Sequence, residues 1–315
     1  MPELPEVEYT ARQLRETLVG STITDAQVFW ERTIGHPDLP EFLAETAGRS
    51  ILSVRRRGKL LVLDLSGDLI LTIHRRMSGN LLLLPPDWQI DTNLREQDPV
   101  AWNTRGPTFY PANEGVLNGH PQDSYDEKLL RYCRVCFNLA DGRRLLYTDP
   151  RKFGRIALWR REREAEAFEG FGIEPLGDEF TPEELARSLA GRTGAIKPLL
   201  LNQSLIAGIG NIYADEALYY ASIHPLRPAS SLSLDEVRLL HEGIVAVLTL
   251  GIEHGGTSFN EYRDLWGESG ENYDHVSVYQ REGKPCPRCG SQIERIVVAQ
   301  RGTHFCPNCQ RLTVV

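Results

Sequence analysis

Four cysteines near the end of the chain most constrain how it can fold: Cys286-x-x-Cys289 and Cys306-x-x-Cys309, with sixteen residues between the pairs. Each C-x-x-C knuckle sets two sulfurs on one side of a tight turn, and two knuckles at this distance have tetrathiolate zinc spacing. A proline follows the first cysteine of each knuckle, and Gly290 follows the first pair. Disulfides are the alternative, but a cytosolic chain keeps its thiols reduced. One structural Zn2+ is expected, because four thiolates leave no open position for a catalytic water. The other pair, Cys133 and Cys136, lies in RYCRVCFNL. That run reads as a strand, where positions i and i+3 face opposite ways, so the two read as ordinary buried thiols.

The chain has 315 residues, 41% hydrophobic and 25% charged, which suits a globular protein of about two domains. No run approaches the roughly 18 apolar residues of a membrane span, since LLLL at 81–84 stops at Pro85-Pro86. The first ten residues, MPELPEVEYT, lack the basic flank and apolar core of a secretory signal. A soluble cytoplasmic protein is expected, nucleoid-associated if the source is prokaryotic. The net charge of −8 argues at first against a polyanionic partner. Its distribution reverses that impression. Residues 85–130 carry eight acids against three bases, 131–163 ten bases against three acids, and 281–315 six bases against two acids. The field over a surface is set by nearby charges, so nucleic acid stays open as a partner.

Residues 3–19 read as a helix, with apolar positions at 7, 11, 14 and 18. Strand-like runs follow, and an Asp-Gly pair at 141–142 marks a hairpin. The expected class is α+β: residues 1–165 a β-sandwich with a leading helix, interrupted by an acidic insertion at 85–128. That insertion, rich in proline, glycine and asparagine, reads as a solvated surface loop, with a strand-separating or partner-binding element or a brake on nonspecific binding as alternatives. Residues 166–180 read as a linker. From Thr181, TPEEL opens a helical stretch with a cap, a proline and acids, and further helices are expected at 195–202, 211–222 and 234–253. Residues 181–280 form the helical domain and 281–315 the zinc-bound hairpin.

Several segments could carry chemistry. Removal of Met1 would expose Pro2, whose secondary α-amine is partly neutral near pH 8 and would form a cationic iminium with an aldehyde-like carbon. Taken alone, Met-Pro is better read as a start codon and a helix N-terminal proline. Glu3 and Glu6 sit one turn apart beside that amine, where a carboxyl can move protons; acids also simply favour a helix N-terminus. RRRGK at 55–59 is equally compatible with a solvated face and with phosphate binding. HRRMSG at 74–79 ends a strand, and TDPRKFG at 148–154 puts arginine and an aromatic on a turn, the kit for prising a base from its stack. GIGN at 208–211 precedes a helix, where backbone N–H groups could approach a phosphate or simply form an interhelical turn.

Taken together and in order, PELPEVE, RRGK, HRRMSG, TDPRKFG, AIKPLLLNQSLIAGIGNIYADEALYYASIHP and the paired knuckles resemble the formamidopyrimidine-DNA glycosylases, bifunctional base-excision repair enzymes. The resemblance spans nearly the whole chain outside 85–128. It implies an N-terminal β-sandwich, a helix–two-turns–helix domain and a zinc finger, with duplex DNA in a cleft between them and a monomer as the working form. It implies that Pro2 is the nucleophile at the sugar C1′, that Glu3 is the general acid, and that Glu6 supports proton transfers. Lys59 would contact lesion-flanking phosphates and serve β-elimination, and Arg301 would do the same for δ-elimination. His74 and Asn211 match phosphate-contacting positions. Met77, Arg151 and Phe153 match the trio that fills the gap left by an everted base. Arg192 stands where the family has a DNA-contacting lysine, and Tyr132 where it usually has histidine. The segment 255–286 looks like that of this family rather than of its relative endonuclease VIII, with 255–279 expected to cover an everted purine. Two other readings stand beside this one: an endonuclease VIII-like glycosylase for oxidised pyrimidines, and a catalytically silent sensor of damaged DNA.

Overall fold

The computed structural model describes residues 2–91, 107–111, 127–259 and 261–312. The chain divides into two units: Met1–Pro2, Glu6–Glu169 and Thr257–Gly270 form one, and Glu3–Pro5, Gly170–Gly256 and Glu271–Val315 the other.

The first unit opens with helix α1 (Leu4–Leu18), whose Val7, Ala11, Leu14 and Leu18 recur every three to four residues and are fully buried. That spacing gives one apolar stripe, and the stripe lies on the sheet core. The strands are β1 (Thr22–Val28), β2 (Ile34–His36), β3 (Arg49–Arg57), β4 (Leu60–Leu65), β5 (Leu69–His74), β6 (Asn80–Leu84), β7 (Trp88–Asp91), β8 (Thr108–Pro111), β9 (Cys133–Leu139), β10 (Arg144–Thr148) and β11 (Arg155–Arg160), with helix α2 (Leu39–Thr46) between β2 and β3. Nine strands run in the order β2-β11-β5-β4-β3-β1-β9-β10-β6, antiparallel except for β11 with β2. Only two register pairs, Thr22 with Ser50 and Ile23 with Arg49, join β1 to β3. The ladder folds there into the two layers of a sandwich. Inner-face residues of both layers, among them Val54, Leu63, Leu71, Leu83, Val135 and Leu145, share one core.

The acidic insertion differs from the expected loop at its roots. β7 and β8 pair as a hairpin, and Trp88 and Phe109 bury themselves beside Leu82, Leu84, Leu146, Cys133 and Cys136. The rest of the insertion lies outside the described residues. Cys133 and Cys136 thus share one apolar cluster rather than facing opposite ways. A bulge shifts the β9–β10 register between Cys133 and Val135, and one inserted residue reverses the side-chain parity. Both are buried free thiols.

The second unit is built from α3 (Pro182–Leu189), α4 (Ile196–Leu200), α5 (Asn211–Tyr220) and α6 (Leu234–Glu253), followed by the hairpin β12 (Glu294–Val298) and β13 (Arg301–Phe305). Thr181 caps α3 through the Glu184 N–H, with proline at the first turn, as TPEEL leads one to expect. Ser233 and Glu236 form a reciprocal capping box on α6. No helix among the described residues is long and apolar enough to cross a membrane.

Candidate functional site

Within the second unit, the start of α5 gathers several of the expected residues. Glu3, 2% exposed, places Oε1 3.0 Å from the Ile212 N–H and Oε2 3.4 Å from the Tyr213 N–H, two amides that the helix itself leaves unpaired. The GIGN segment makes room for this contact. A Cβ on Gly210 would lie 2.3 Å from the Glu3 Cδ, and one on Gly208 2.6 Å from a Leu4 methyl. Leu4 also donates its N–H to the Gly208 carbonyl at 3.0 Å. The glycines therefore admit the protein's own N-terminal segment, and amides of the kind that cradle a phosphate hold the Glu3 carboxylate instead. Gly210→Ala should force that carboxylate off the two amides and cost about 1–3 kcal/mol of stability, read as a shift of the midpoint in a urea melt.

The same helix start holds the zinc hairpin. Asn211 Nδ2 donates to the Gly302 carbonyl at 2.9 Å. Lys197, fully buried, reaches the Gly302 carbonyl at 3.2 Å and the Thr303 hydroxyl at 2.8 Å, and pairs with Asp215 at 2.6 Å. Asp215 accepts the His304 N–H at 2.9 Å. Removing one partner of such a buried pair strands a charge and costs about 3–5 kcal/mol. These anchors fix the chain after Arg301, which stands exposed beside a two-residue tip, Ala299-Gln300, with φ of 46° and 62°. Lys197 and Asp215 escaped sequence reasoning. The available signal was a lone lysine in the apolar run AIKPLLL and an acid pair inside NIYADEALYY. Arg192 is exposed just beyond α3, and its Nε donates to the Ser188 carbonyl at 2.8 Å.

Cys286, Cys289, Cys306 and Cys309 bring their four sulfurs within 4.8 Å of one another. Sulfurs 2.3 Å from a tetrahedral zinc would stand about 3.8 Å apart. The observed 3.9 Å between Cys286 and Cys309 and 3.5 Å between Cys289 and Cys306 fit that edge. The Arg288 N–H points at the Cys286 sulfur and the Cys309 N–H at the Cys306 sulfur, each at 3.4 Å. The set fits one structural zinc, which would supply folding energy to the hairpin.

In the first unit, Gly58-Lys59 is the turn between β3 and β4, and Lys59 is buried there. The arginines before it are engaged internally: Arg55 with Asp64 and Glu164, Arg56 with Glu8. Leu60 pairs with His74, which brings the Lys59 turn alongside the imidazole. Burial, then the Arg76 and Lys59 charges, pushes the His74 pKa down to about 3. Its Nδ1 accepts the Arg76 N–H at 3.1 Å, leaving Nε2 to carry the proton as a neutral donor. The unfolded ring takes up a proton below about 6.5, and the folded ring does so only near 3. The stabilising contribution is thus full above 6.5 and lost as pH falls through that window. His74→Gln should lose less stability than the parent chain between about pH 7 and pH 4 in urea melts.

Pro2 is buried. Glu6, 1% exposed, accepts the Thr257 N–H at 2.8 Å. Phe153 is half exposed, and the exposed Arg151 guanidinium stands 5.0 Å from its ring centre. Their loop is folded around Asp149, whose carboxylate accepts the Arg151 N–H at 3.1 Å and the Gly154 N–H at 2.8 Å. Asp149 also accepts the Ser78 hydroxyl at 2.6 Å, which ties this loop to the half-buried Met77. The Tyr132 carbonyl accepts the Asp149 N–H at 2.9 Å, and its ring lies 5.8 Å from the Arg134 guanidinium. Asp149 is a further residue that sequence reasoning missed, although it stands inside TDPRKFG.

Three family patterns match the chain: the formamidopyrimidine-DNA glycosylase N-terminal domain over residues 1–156, the H2TH domain of the same enzymes over 171–262, and the zinc finger found in FPG and IleRS over 283–312. The formamidopyrimidine-DNA glycosylase of Roseiflexus sp. (strain RS-1) is 44% identical across 99% of this chain and all of its own. That of Chloroflexus aurantiacus is 43% identical across 98% of both. Lactococcus lactis Fpg in complex with abasic-site DNA superposes with a TM-score of 0.80 at 32% identity, covering 98% of this chain and 99% of that one. The same bacterium's enzyme bound to DNA with an oxidised pyrimidine gives 0.79 at 32%, covering 98% and 100%. With its β-sandwich, H2TH helices and four-cysteine finger in this order, the chain belongs to the formamidopyrimidine-DNA glycosylase family of base-excision repair enzymes.

Proposed function

We propose that this chain excises oxidised purines, 8-oxoguanine and formamidopyrimidines, from duplex DNA through its N-terminal proline and then cuts the abasic strand by β,δ-elimination. One observation carries the reading. The start of α5 holds the carboxylate of Glu3, the residue next to Pro2, together with Asn211 and the hairpin that presents Arg301.

The Pro2 nitrogen attacks C1′ as the bond to the base breaks, and the proton it sheds neutralises the departing base. Glu3 delivers a proton to the opening sugar ring, leaving an iminium between Pro2 and C1′. The iminium acidifies C2′; loss of that proton to water expels the 3′ phosphate, a second elimination releases the 5′ phosphate, and hydrolysis of the iminium frees Pro2. Lys59 and Arg301 stabilise the departing phosphates, with Asn211 and neutral His74 as further donors. Met77, Arg151 and Phe153 occupy the vacated stack, where wedging offsets an unstacking cost of a few kcal/mol. Arg192 and Tyr132 contact flanking DNA, and Glu6 supports proton transfers beside Pro2 while its carboxylate accepts the Thr257 N–H. Zinc supports the hairpin and takes no part in the reaction.

Borohydride trapping on a duplex with 8-oxoguanine opposite cytosine, followed by peptide mapping, tests the reading. A covalent adduct at residue 2 is expected, and it requires Met1 to have been removed. No adduct from zinc-loaded, processed protein would favour the silent sensor. Faster release of thymine glycol than of 8-oxoguanine would favour the pyrimidine reading.

A further inference from the structure

A buried arginine outside the proposed chemistry links the pieces that must act together when a base is everted. Arg75 is 1% exposed, and the four groups it donates to are neutral, with the Glu6 and Asp264 carboxylates acting on it only through space. Nε donates to the Gly79 carbonyl at 2.8 Å, closing the loop 75–79 that carries Met77. Nη1 donates to the Thr10 hydroxyl of α1 at 2.9 Å. Nη2 donates to Asn80 Oδ1 at 2.7 Å and to the Arg263 carbonyl at 3.2 Å. The guanidinium also lies 5.1 Å from the centre of the Tyr262 ring.

Asn80, 2% exposed, completes the link in the other direction. Its Oδ1 accepts the Arg263 N–H at 3.0 Å, and its Nδ2 donates to the Glu261 carbonyl at 2.8 Å. The segment's own anchors lie on either side. Thr257 is held by Glu6, Leu265 donates to Gln13 Oε1 at 3.0 Å, and Asp264 accepts from Gln13 Nε2 at 2.7 Å.

A buried cation hydrogen-bonded to neutral groups is an expensive way to fill space, since an apolar side chain would pack there without desolvating a charge. What it supplies is direction: several donors in one rigid plane fix several backbone segments at once. We infer that Arg75 and Asn80 are positioning residues that join the Met77 loop to the segment Glu261–Asp264, so that filling the vacated stack and covering the everted base occur as one movement. This rests on the wedge role given to Met77 above.

The test places 2-aminopurine beside an 8-oxoguanine and follows its fluorescence in stopped flow, alongside single-turnover excision and lyase activity on a preformed abasic site. In Asn80→Ala the fluorescence change and excision should slow together by about tenfold. Lyase activity, which has no base to evert, should stay within about twofold. Arg75→Lys keeps the charge but loses the planar fork, and should show the same split to a smaller degree. Met77→Ala separates the two ideas. If it slows eversion while Asn80→Ala and Arg75→Lys do not, the coupling is wrong. If it leaves eversion unchanged, the wedge role fails. Equal losses in excision and lyase activity for Asn80→Ala and Arg75→Lys would reduce the pair to structural support and overturn the proposal.

Discussion

Glu3→Gln should lower single-turnover release of 8-oxoguanine by about 10²–10⁴-fold, the range contributed by a positioned proton donor. The substitution is nearly isosteric. Glutamine Oε1 can still accept the Ile212 N–H at the 3.0 Å site, while its NH2 faces the weaker 3.4 Å contact to Tyr213. The helix start therefore keeps one of its two partners, and the fold is expected to survive. What is lost is the exchangeable proton, because an amide cannot deliver one to the sugar ring. A preformed abasic site no longer needs the base to depart, so lyase activity should fall much less than excision. The comparison is made on lesion and abasic duplexes under enzyme excess, with a thermal melt to confirm folding. Normal excision of 8-oxoguanine by the Glu3→Gln protein would end the general-acid assignment.

The other large effect is expected at the zinc hairpin. Residues 281–312 contribute little apolar mass of their own; Cys286, Ile293 and Cys306 pack with Tyr219 and Val278 in a five-residue cluster. A core that small does not hold a hairpin, whereas structural zinc brings roughly 10–16 kcal/mol of apparent binding energy that appears as folding energy. Cys306 is fully buried at the centre of this arrangement. Cys306→Ser should release the metal and melt β12 and β13. Asn211 and Lys197 would then have no Gly302 carbonyl to hold, and Arg301 would lose its fixed place. Duplex affinity should fall, and the salt dependence should flatten by roughly one unit of slope for each phosphate the hairpin no longer neutralises. Chelation should reproduce both effects, and added zinc should reverse them in the parent chain only. A metal-free protein with unchanged affinity and salt slope would show that the hairpin folds without zinc.

Much of the architecture was legible because it follows short-range rules. The apolar spacing at 7, 11, 14 and 18 marks α1, and Thr181 with Pro182 marks the start of α3. The two cysteine knuckles carry their geometry in their spacing, so the four sulfurs converge as expected. Each of these signals depends on residues within a few positions of one another, where helix period, caps and tight turns leave few alternatives.

Partner choice was not legible. RRRGK offered four similar cations, but Arg55 and Arg56 find carboxylates on other elements, while Lys59 occupies a turn. GIGN had the form of a phosphate cradle, and the anion it receives is Glu3, more than two hundred positions earlier in the chain. A single bulge in β9 moved Cys133 onto the face of Cys136, and the roots of the acidic insertion paired as a hairpin under Trp88 and Phe109. Arg75 and Asn80 carry no local mark that separates them from surface polar residues. The sequence by itself determined the leading helix, the capped helix starts and the zinc knuckles, and it carried the resemblance from which the site residues are proposed. Only the tertiary structure decided which charge meets which. A buried polar group must find its partner wherever the fold brings one, and that distance in space has no fixed relation to distance along the chain.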